Sequence, residues 1–142
     1  MPKRSELKEL AKIRLKEAKA LFDCELYDGS RYLAGYVVEL SLKACICKVL
    51  DTDNYPESGE LSRSFKTHNF DDLLNLTGLG RRFDRAKIVN PNLLANWSLV
   101  TEWTESFRYK PVGSSPKQLA QDTIAALEDK KDGIFTWMKK YW

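Results

Sequence analysis

The chain has few of the residues that build metal sites and disulfide frameworks, with one His and three Cys among 142 residues. Cys45 and Cys47 lie in an apolar segment and Cys24 stands apart from them. This spacing matches neither a disulfide pattern nor a common metal-ligand motif. We therefore expect three reduced thiols, and we expect no metal ion and no organic cofactor.

Long apolar runs and strong net charge are also missing. The longest apolar run is far shorter than a membrane span, and the first residues contain no apolar signal region, so we expect a cytoplasmic protein without a membrane partner. The net charge of +3 permits an acidic partner without indicating one. At 43% hydrophobic residues, the chain can bury the core of one domain over residues 1–142.

What the sequence does contain is helical periodicity without strand-like alternation. It predicts an all-α fold, a single-domain bundle of four long helices plus one short helix. The long helices are predicted over residues 5–25, 31–50, 90–107 and 115–141, and the short one follows residue 67 or 69 and ends at 78. Residues 81–89 are predicted to form a loop or one helical turn. N-terminal caps are predicted at four polar residues, Ser5, Asp28, Asn90 and Ser115.

The second predicted helix is apolar around most of its circumference, yet it carries a polar stripe on one side. The stripe consists of four residues at helical spacing: Tyr32, Tyr36, Glu39 and Lys43. Because an unpaired buried charge is costly, a central helix should present this stripe to a cleft, a subunit interface or an internal ion-pair partner. The alternative is an ion pair between Glu39 and Lys43 on a wet edge of the bundle.

Three segments together resemble one protein family. Residues 27–44 (YDGSRYLAGYVVELSLKA), residues 66–74 (KTHNFDDLL) and residues 103–109 (WTESFRY) are similar to stretches of the HEPN domain (higher eukaryotes and prokaryotes nucleotide-binding). The resemblance spans roughly residues 7–140, and its helix order agrees with the periodicity. It implies a HEPN-like helical bundle that is commonly a homodimer, with the polar face of the central helices lining a cleft.

The resemblance also implies a set of functions. HEPN domains occur beside minimal nucleotidyltransferases, in toxin–antitoxin or defence systems, and as metal-independent endoribonucleases. The expected partners are therefore a second copy of the chain, a nucleotidyltransferase or an antitoxin, and an RNA or nucleotide. The ribonuclease branch uses an Arg and a His separated by four to six residues, which Arg63 and His68 match.

His68 is the single histidine, so a mechanism that depends on an imidazole would have to use it. An imidazole can take the proton of a ribose 2′-hydroxyl or give one to the leaving oxygen. Arg63 could then stabilise the charge that develops on the phosphate oxygens. The alternative is that His68 occupies the start of a helix and only anchors a loop against the bundle.

The remaining candidates for a cleft that binds RNA or a nucleotide are basic or aromatic: Lys66, Arg81, Arg82, Arg108 and Tyr109. A mixed, solvated surface explains the basic residues about as well, and Arg108 also suits the negative end of a helix dipole. Three functions stay open at this point. They are a HEPN module that binds nucleotide, RNA or a partner protein, an endoribonuclease using Arg63 and His68, and a purely structural dimerisation protein.

Overall fold

A computed structural model describes residues 1–142, except for the side chains of Glu60 and Leu61. Within this described chain, seven α-helices and two 3-10 helices are present, and no strand forms beyond an isolated pairing of Lys3 with Asn54. The α-helices are α1 (Arg4–Asp23), α2 (Tyr27–Val49), α3 (Phe70–Leu76), α4 (Gly80–Val89), α5 (Pro91–Val100), α6 (Lys117–Glu128) and α7 (Ile134–Met138). The 3-10 helices span Glu60–Phe65 and Glu105–Tyr109. The predicted all-α class is confirmed.

Helix α2 forms the centre of the bundle, as its nearly continuous apolar surface predicts. It packs against α1 along most of its length and also contacts α3, α6 and α7. Most of its residues from Ser30 to Cys47 are buried. The core is therefore built around one helix, and any polar side chain on α2 must find its partner inside the protein.

The two C-terminal helices are shorter than predicted, because tertiary contacts interrupt both. The predicted helix over residues 90–107 ends at Val100, and Trp103 then turns inward to donate an indole N–H bond to the Tyr32 carbonyl at 3.0 Å. The predicted helix over residues 115–141 divides into α6 and α7. Between them, the Asp129 carboxylate accepts the N–H groups of Lys131 and Asp132 at 2.9 and 2.7 Å, which caps the chain reversal.

Helix α4 occupies the segment predicted to be a loop or one turn. Its single buried residue, Phe83, packs edge-on against Trp97 and Trp137, with ring centroids 4.9 and 4.7 Å away. Five of its ten residues are charged and only Phe83 is buried, so the segment resembles a polar surface stretch and its full helix was not predicted.

The structure tests the predicted N-terminal helix caps. Asn90 is confirmed, since its side-chain oxygen accepts the N–H groups of Asn92 and Leu93. Ser5 is wrong because it lies inside α1, and Ser115 is wrong because Pro116 stands at the cap of α6 and no side chain caps it.

Asp28 lies in the first turn of α2 instead of at its cap. Its carboxylate accepts the backbone N–H of Gly113 at 2.6 Å and that of Ser115 at 2.8 Å. These bonds hold the pKa of Asp28 below its usual value. Asp28 therefore ties the loop before α6 to the start of the central helix.

Candidate functional site

A groove of about 460 Å³ lies between the segment that enters α3 and the segment that leaves α5. Its lining combines a cation, an imidazole, hydroxyl and amide groups, two carboxylates and two aromatic rings. These residues are Lys66, Thr67, His68, Asn69, Phe70, Asp71, Thr101, Trp103, Thr104 and Glu105. Both segments are fixed by anchors: the Asn69 side chain caps α3 by accepting the Asp72 N–H at 3.0 Å, and Trp103 is buried.

His68 is held in the groove by a carboxylate of the central helix. Its Nδ1 lies 2.9 Å from Oε1 and 3.0 Å from Oε2 of Glu39. The ring is 43% exposed, whereas the Glu39 side chain is 4% exposed. An ionised carboxylate can only accept hydrogen bonds, so Nδ1 donates to Glu39 and Nε2 is the ring nitrogen left for another partner. No described residue hydrogen-bonds Nε2.

Lys43 pairs with Glu39 inside the protein. Its Nζ is 3.0 Å from Glu39 Oε1 and 3.5 Å from Glu57 Oε1, and it lies 5.1 Å from the centre of the Tyr55 ring. A buried carboxylate with a close ammonium and an imidazole partner is the satisfied arrangement that buried charges require. The Glu39 and Lys43 half of the polar stripe is thus a buried ion pair that also bonds the half-exposed His68.

Tyr32 and Tyr36, the other half of the stripe, pack beneath Trp103. Their hydroxyl oxygens are 3.2 Å apart, and the Tyr36 and Trp103 ring centroids are 5.0 Å apart. Burial and the bond with Tyr32 raise the pKa of Tyr36 to about 12, so the Tyr36 hydroxyl stays protonated at neutral pH. Trp103 also stacks on Phe70 at 5.3 Å, which makes it the wall shared by the groove and the tyrosine pair.

Gly35 explains how Trp103 can lie so close to α2. A Cβ atom at this position would overlap the indole ring, so only Gly permits the contact. The ring therefore reaches the helix backbone and donates to Tyr32.

A family profile for the HEPN domain matches residues 5–129. The chain belongs to the HEPN domain family. The resemblance seen in the sequence is thereby confirmed, and membership places the chain among helical modules related to nucleotides or RNA in general. Comparisons with curated proteins and with solved structures found no significant match.

The HEPN fold does not bring all of the predicted site residues together. Lys66 lines the groove with His68, whereas Arg63 is exposed on the preceding 3-10 helix and is not part of the lining. Arg81 and Arg82 are exposed on α4, and the Arg82 guanidinium covers the Tyr141 ring at 5.2 Å.

Arg108 and Tyr109 form a second exposed pair, on the tyrosine side of Trp103. The Arg108 guanidinium lies 4.7 Å from the Tyr109 ring centroid, and its charge acts on the Tyr36 hydroxyl. The residues that the sequence analysis assigned to one cleft therefore lie in separate places: the groove, the region of the tyrosine pair and helix α4.

Sequence reasoning missed two partners of Lys43. Glu57 comes from the polar loop after α2, and nothing in the local pattern indicates that its carboxylate returns to the helix. Tyr55 is fully buried and its hydroxyl donates to the Phe65 carbonyl at 2.8 Å. Burial and nearby acidic groups raise its pKa, so it serves as a neutral aromatic surface for the ammonium.

Two further observations concern metal-binding clusters and membrane-spanning helices. Among its described residues, no three His, Cys, Asp or Glu side chains cluster closely enough to hold a metal ion. Over the same part of the chain, every helix is too short or too polar to cross a membrane.

Proposed function

We propose that this chain is a single-domain, homodimeric HEPN module that binds RNA or a nucleotide in the groove beside His68. The observation that carries the proposal is the half-exposed imidazole whose Nδ1 is fixed by Glu39 while Nε2 carries no bond to the described protein. A ring oriented by a buried carboxylate is prepared to interact with one group placed in the groove.

The composition of the groove suits a nucleotide. Its volume of about 460 Å³ lies in the range of small-molecule sites, roughly 300–1,000 Å³. Lys66 can contact a phosphate as a cationic donor, and Nε2 of His68 can contact a polar group of the ligand. The carboxylates of Asp71 and Glu105 can accept bonds from ribose hydroxyls or exocyclic amino groups. A ligand with both anionic and hydroxyl-bearing parts satisfies this mixed lining.

Fluorescence anisotropy with a labelled single-stranded RNA, and competition by mononucleotides, tests the binding. Lys66→Gln should weaken binding and reduce its salt dependence, because one phosphate contact is lost. Lys117→Gln removes an exposed lysine that does not line the groove and should bind as the wild type does. Equal affinities for both variants would refute this groove as the site.

The hydrogen bond between His68 and Glu39 also favours a second candidate, a metal-independent endoribonuclease. Nε2 would take the proton of a 2′-hydroxyl and the 2′-oxygen would bond to phosphorus. The bond from phosphorus to the 5′-oxygen would break as that oxygen takes a proton from water. The products would be a 2′,3′-cyclic phosphate and a 5′-hydroxyl end. Glu39 would orient the ring, and the exposed Arg63 is the candidate for stabilising charge on the phosphate oxygens.

Cleavage assays with EDTA present separate the enzyme from the binding module. For an enzyme, His68→Ala should lower the rate by about 10²–10⁴-fold while the protein stays folded, and a 2′-deoxy substitution at the cleaved position should block the reaction. Arg63→Ala should lower the rate comparably with less effect on RNA binding. RNA binding without cleavage in the wild type would leave the binding module and reject the enzyme.

The proposal also includes the partners of the module. We propose a homodimer, with a nucleotidyltransferase or an antitoxin as the partner in a toxin–antitoxin or defence system. Sedimentation equilibrium tests the dimer. A dimer that binds neither RNA nor nucleotide would instead support the third function, a structural dimerisation protein.

A further inference from the structure

A second groove, of about 310 Å³, opens where α1 begins and the loop after α2 passes beside it. It is lined by Lys3, Arg4, Ser5, Lys8 and Asp53. The start of α1 is fixed to that loop, because the Arg4 N–H donates to the Asp53 carbonyl at 2.7 Å and the Tyr55 N–H donates to the Pro2 carbonyl at 3.0 Å. The groove is thus a rigid feature of the fold.

Positive charge exceeds negative charge at this groove, whose lining contains three basic side chains and one carboxylate. Lys12 and Lys48 lie beside the lining, and we call the five residues Lys3, Arg4, Lys8, Lys12 and Lys48 the basic cluster. Partial burial, followed by the charges of Arg4, Lys48 and Lys12, lowers the pKa of Lys8. Ion pairs among the described residues involve none of these five side chains.

Arg4 and Trp142 show how the cluster is held. One terminal nitrogen of Arg4 donates to the Trp142 carbonyl at 2.9 Å, and its Nε is buried without a partner among the described residues. Lys8 and Lys12 lie 5.5 and 5.8 Å from the centre of the Trp142 ring. Two like charges four residues apart on a helix repel each other, so this arrangement costs stability unless an anion binds. Asp53 supplies the carboxylate on the groove wall, and its side chain is exposed.

The basic cluster is remote from the His68 groove. Lys48 and Glu39 are nine residues apart on α2, which places them about half a turn apart around the helix and about 14 Å apart along its axis. The two grooves therefore face different sides of the central helix. A ligand that reached both would have to be an extended polyanion that follows the protein surface.

We propose that the basic cluster contacts backbone phosphates of a single-stranded RNA whose reactive or recognised nucleotide lies in the His68 groove. The proposal rests on the proposed function, since it assumes that the chain binds RNA. Lys8, Lys12 and Lys48 act as mobile phosphate contacts, and they carry no information about base sequence.

The test compares three paired variants with the wild type by anisotropy on a labelled single-stranded RNA at several salt concentrations. Lys8→Gln with Lys12→Gln should lower the affinity at low salt by about 10-fold and reduce the slope of log K against log salt by about 1.4, two contacts at about 0.7 each. Lys8→Arg with Lys12→Arg keeps the charges and should retain the wild-type slope. Lys130→Gln with Lys131→Gln removes two exposed lysines of the loop after α6 and should have little effect.

Each outcome bears on one claim. If Lys8→Gln with Lys12→Gln binds RNA as tightly as the Lys130→Gln, Lys131→Gln control, the basic cluster does not contact RNA. If Lys66→Gln still weakens binding in that case, the proposed function stands. If Lys8→Gln with Lys12→Gln lowers the affinity for RNA and Lys66→Gln does not, the basic cluster is supported and the His68 groove is rejected. If Lys8→Arg with Lys12→Arg loses as much affinity as the Gln variant, charge does not explain the effect and its role is overturned. A wild type that binds no RNA overturns both proposals. Thermal unfolding of every variant verifies that it is folded.

Discussion

Replacing Glu39 with Ala should destabilise the fold strongly, because it leaves an ammonium inside the protein without its closest counter-charge. The side chains of Lys43 and Glu39 are 9% and 4% exposed, and their charged atoms are 3.0 Å apart. Removing one partner of a buried pair costs about 3–5 kcal/mol. Glu57, at 3.5 Å from Lys43 and 35% exposed, remains as a weaker partner. We therefore expect a loss of about 2–4 kcal/mol in the free energy of unfolding.

Urea unfolding followed by circular dichroism measures this loss, and Glu128→Ala is the matched control. Glu128 pairs with Lys19 at 2.9 Å, but these side chains are 38% and 50% exposed. Exposed pairs contribute about 0–1 kcal/mol, so the control should shift the urea midpoint much less. Equal shifts for the two variants would mean that Glu39 is solvated, and the reasoning from burial would be wrong.

A double-mutant cycle then isolates the pair itself. Glu39→Gln keeps the shape and a hydrogen-bonding oxygen for His68, and Lys43→Met keeps the length of the side chain without its charge. The coupling energy should exceed the 0.3–0.5 kcal/mol, roughly, of an exposed helix pair. The double variant should be more stable than Glu39→Gln alone, because no buried charge then lacks a partner.

Two further predictions concern the frame around the groove. Gly35→Ala should lower stability by about 1–3 kcal/mol in urea unfolding, because its methyl group overlaps the Trp103 ring, whereas Gly29→Ala in the same helix meets one methyl carbon of Leu21 at 3.3 Å and should be nearly neutral. A neutral Gly35→Ala would mean that Trp103 does not pack on the helix. Asp28→Asn should lower the melting temperature at pH 7, because the amide cannot accept both backbone N–H groups. Since folding lowers the pKa of Asp28 from 3.8, its contribution is present above about pH 4 and disappears as the pH falls through the lowered value. The two melting curves should therefore converge in acid, while Glu9→Gln, an exposed carboxylate, should show no such convergence.

The fold was predictable where burial leaves a strong local pattern. Helix α2 is apolar on nearly every side, so its central position follows from the sequence alone. Helix α4 buries only Phe83, and its helical character depends on packing against Trp97 and Trp137, which come from distant segments. The end of α5 was missed for the same reason, since Trp103 leaves the helix to reach Gly35, and local propensity contains no information about that contact.

The candidate site was predictable only in part. The spacing of Glu39 and Lys43 predicted their pairing, and the rarity of His directed attention to His68. Glu39 also bonds His68, which lies 29 positions later in the sequence. This contact forms only when the chain folds back on itself, so local spacing does not predict it. Arg63 was grouped with His68 because the pair fits the Arg and His spacing of the ribonuclease branch of the family, yet the Arg63 side chain lies outside the groove lining.

The construction of the His68 groove has a consequence for how such a site changes during evolution. Its base is fixed by Glu39 and Trp103, which are tied to the core, whereas Lys66 and Thr104 are exposed residues of connecting segments. Substitutions at exposed loop positions change stability little, typically within about 0.5 kcal/mol. New ligand preferences can therefore arise at these outer positions while the helix core and the oriented imidazole stay intact.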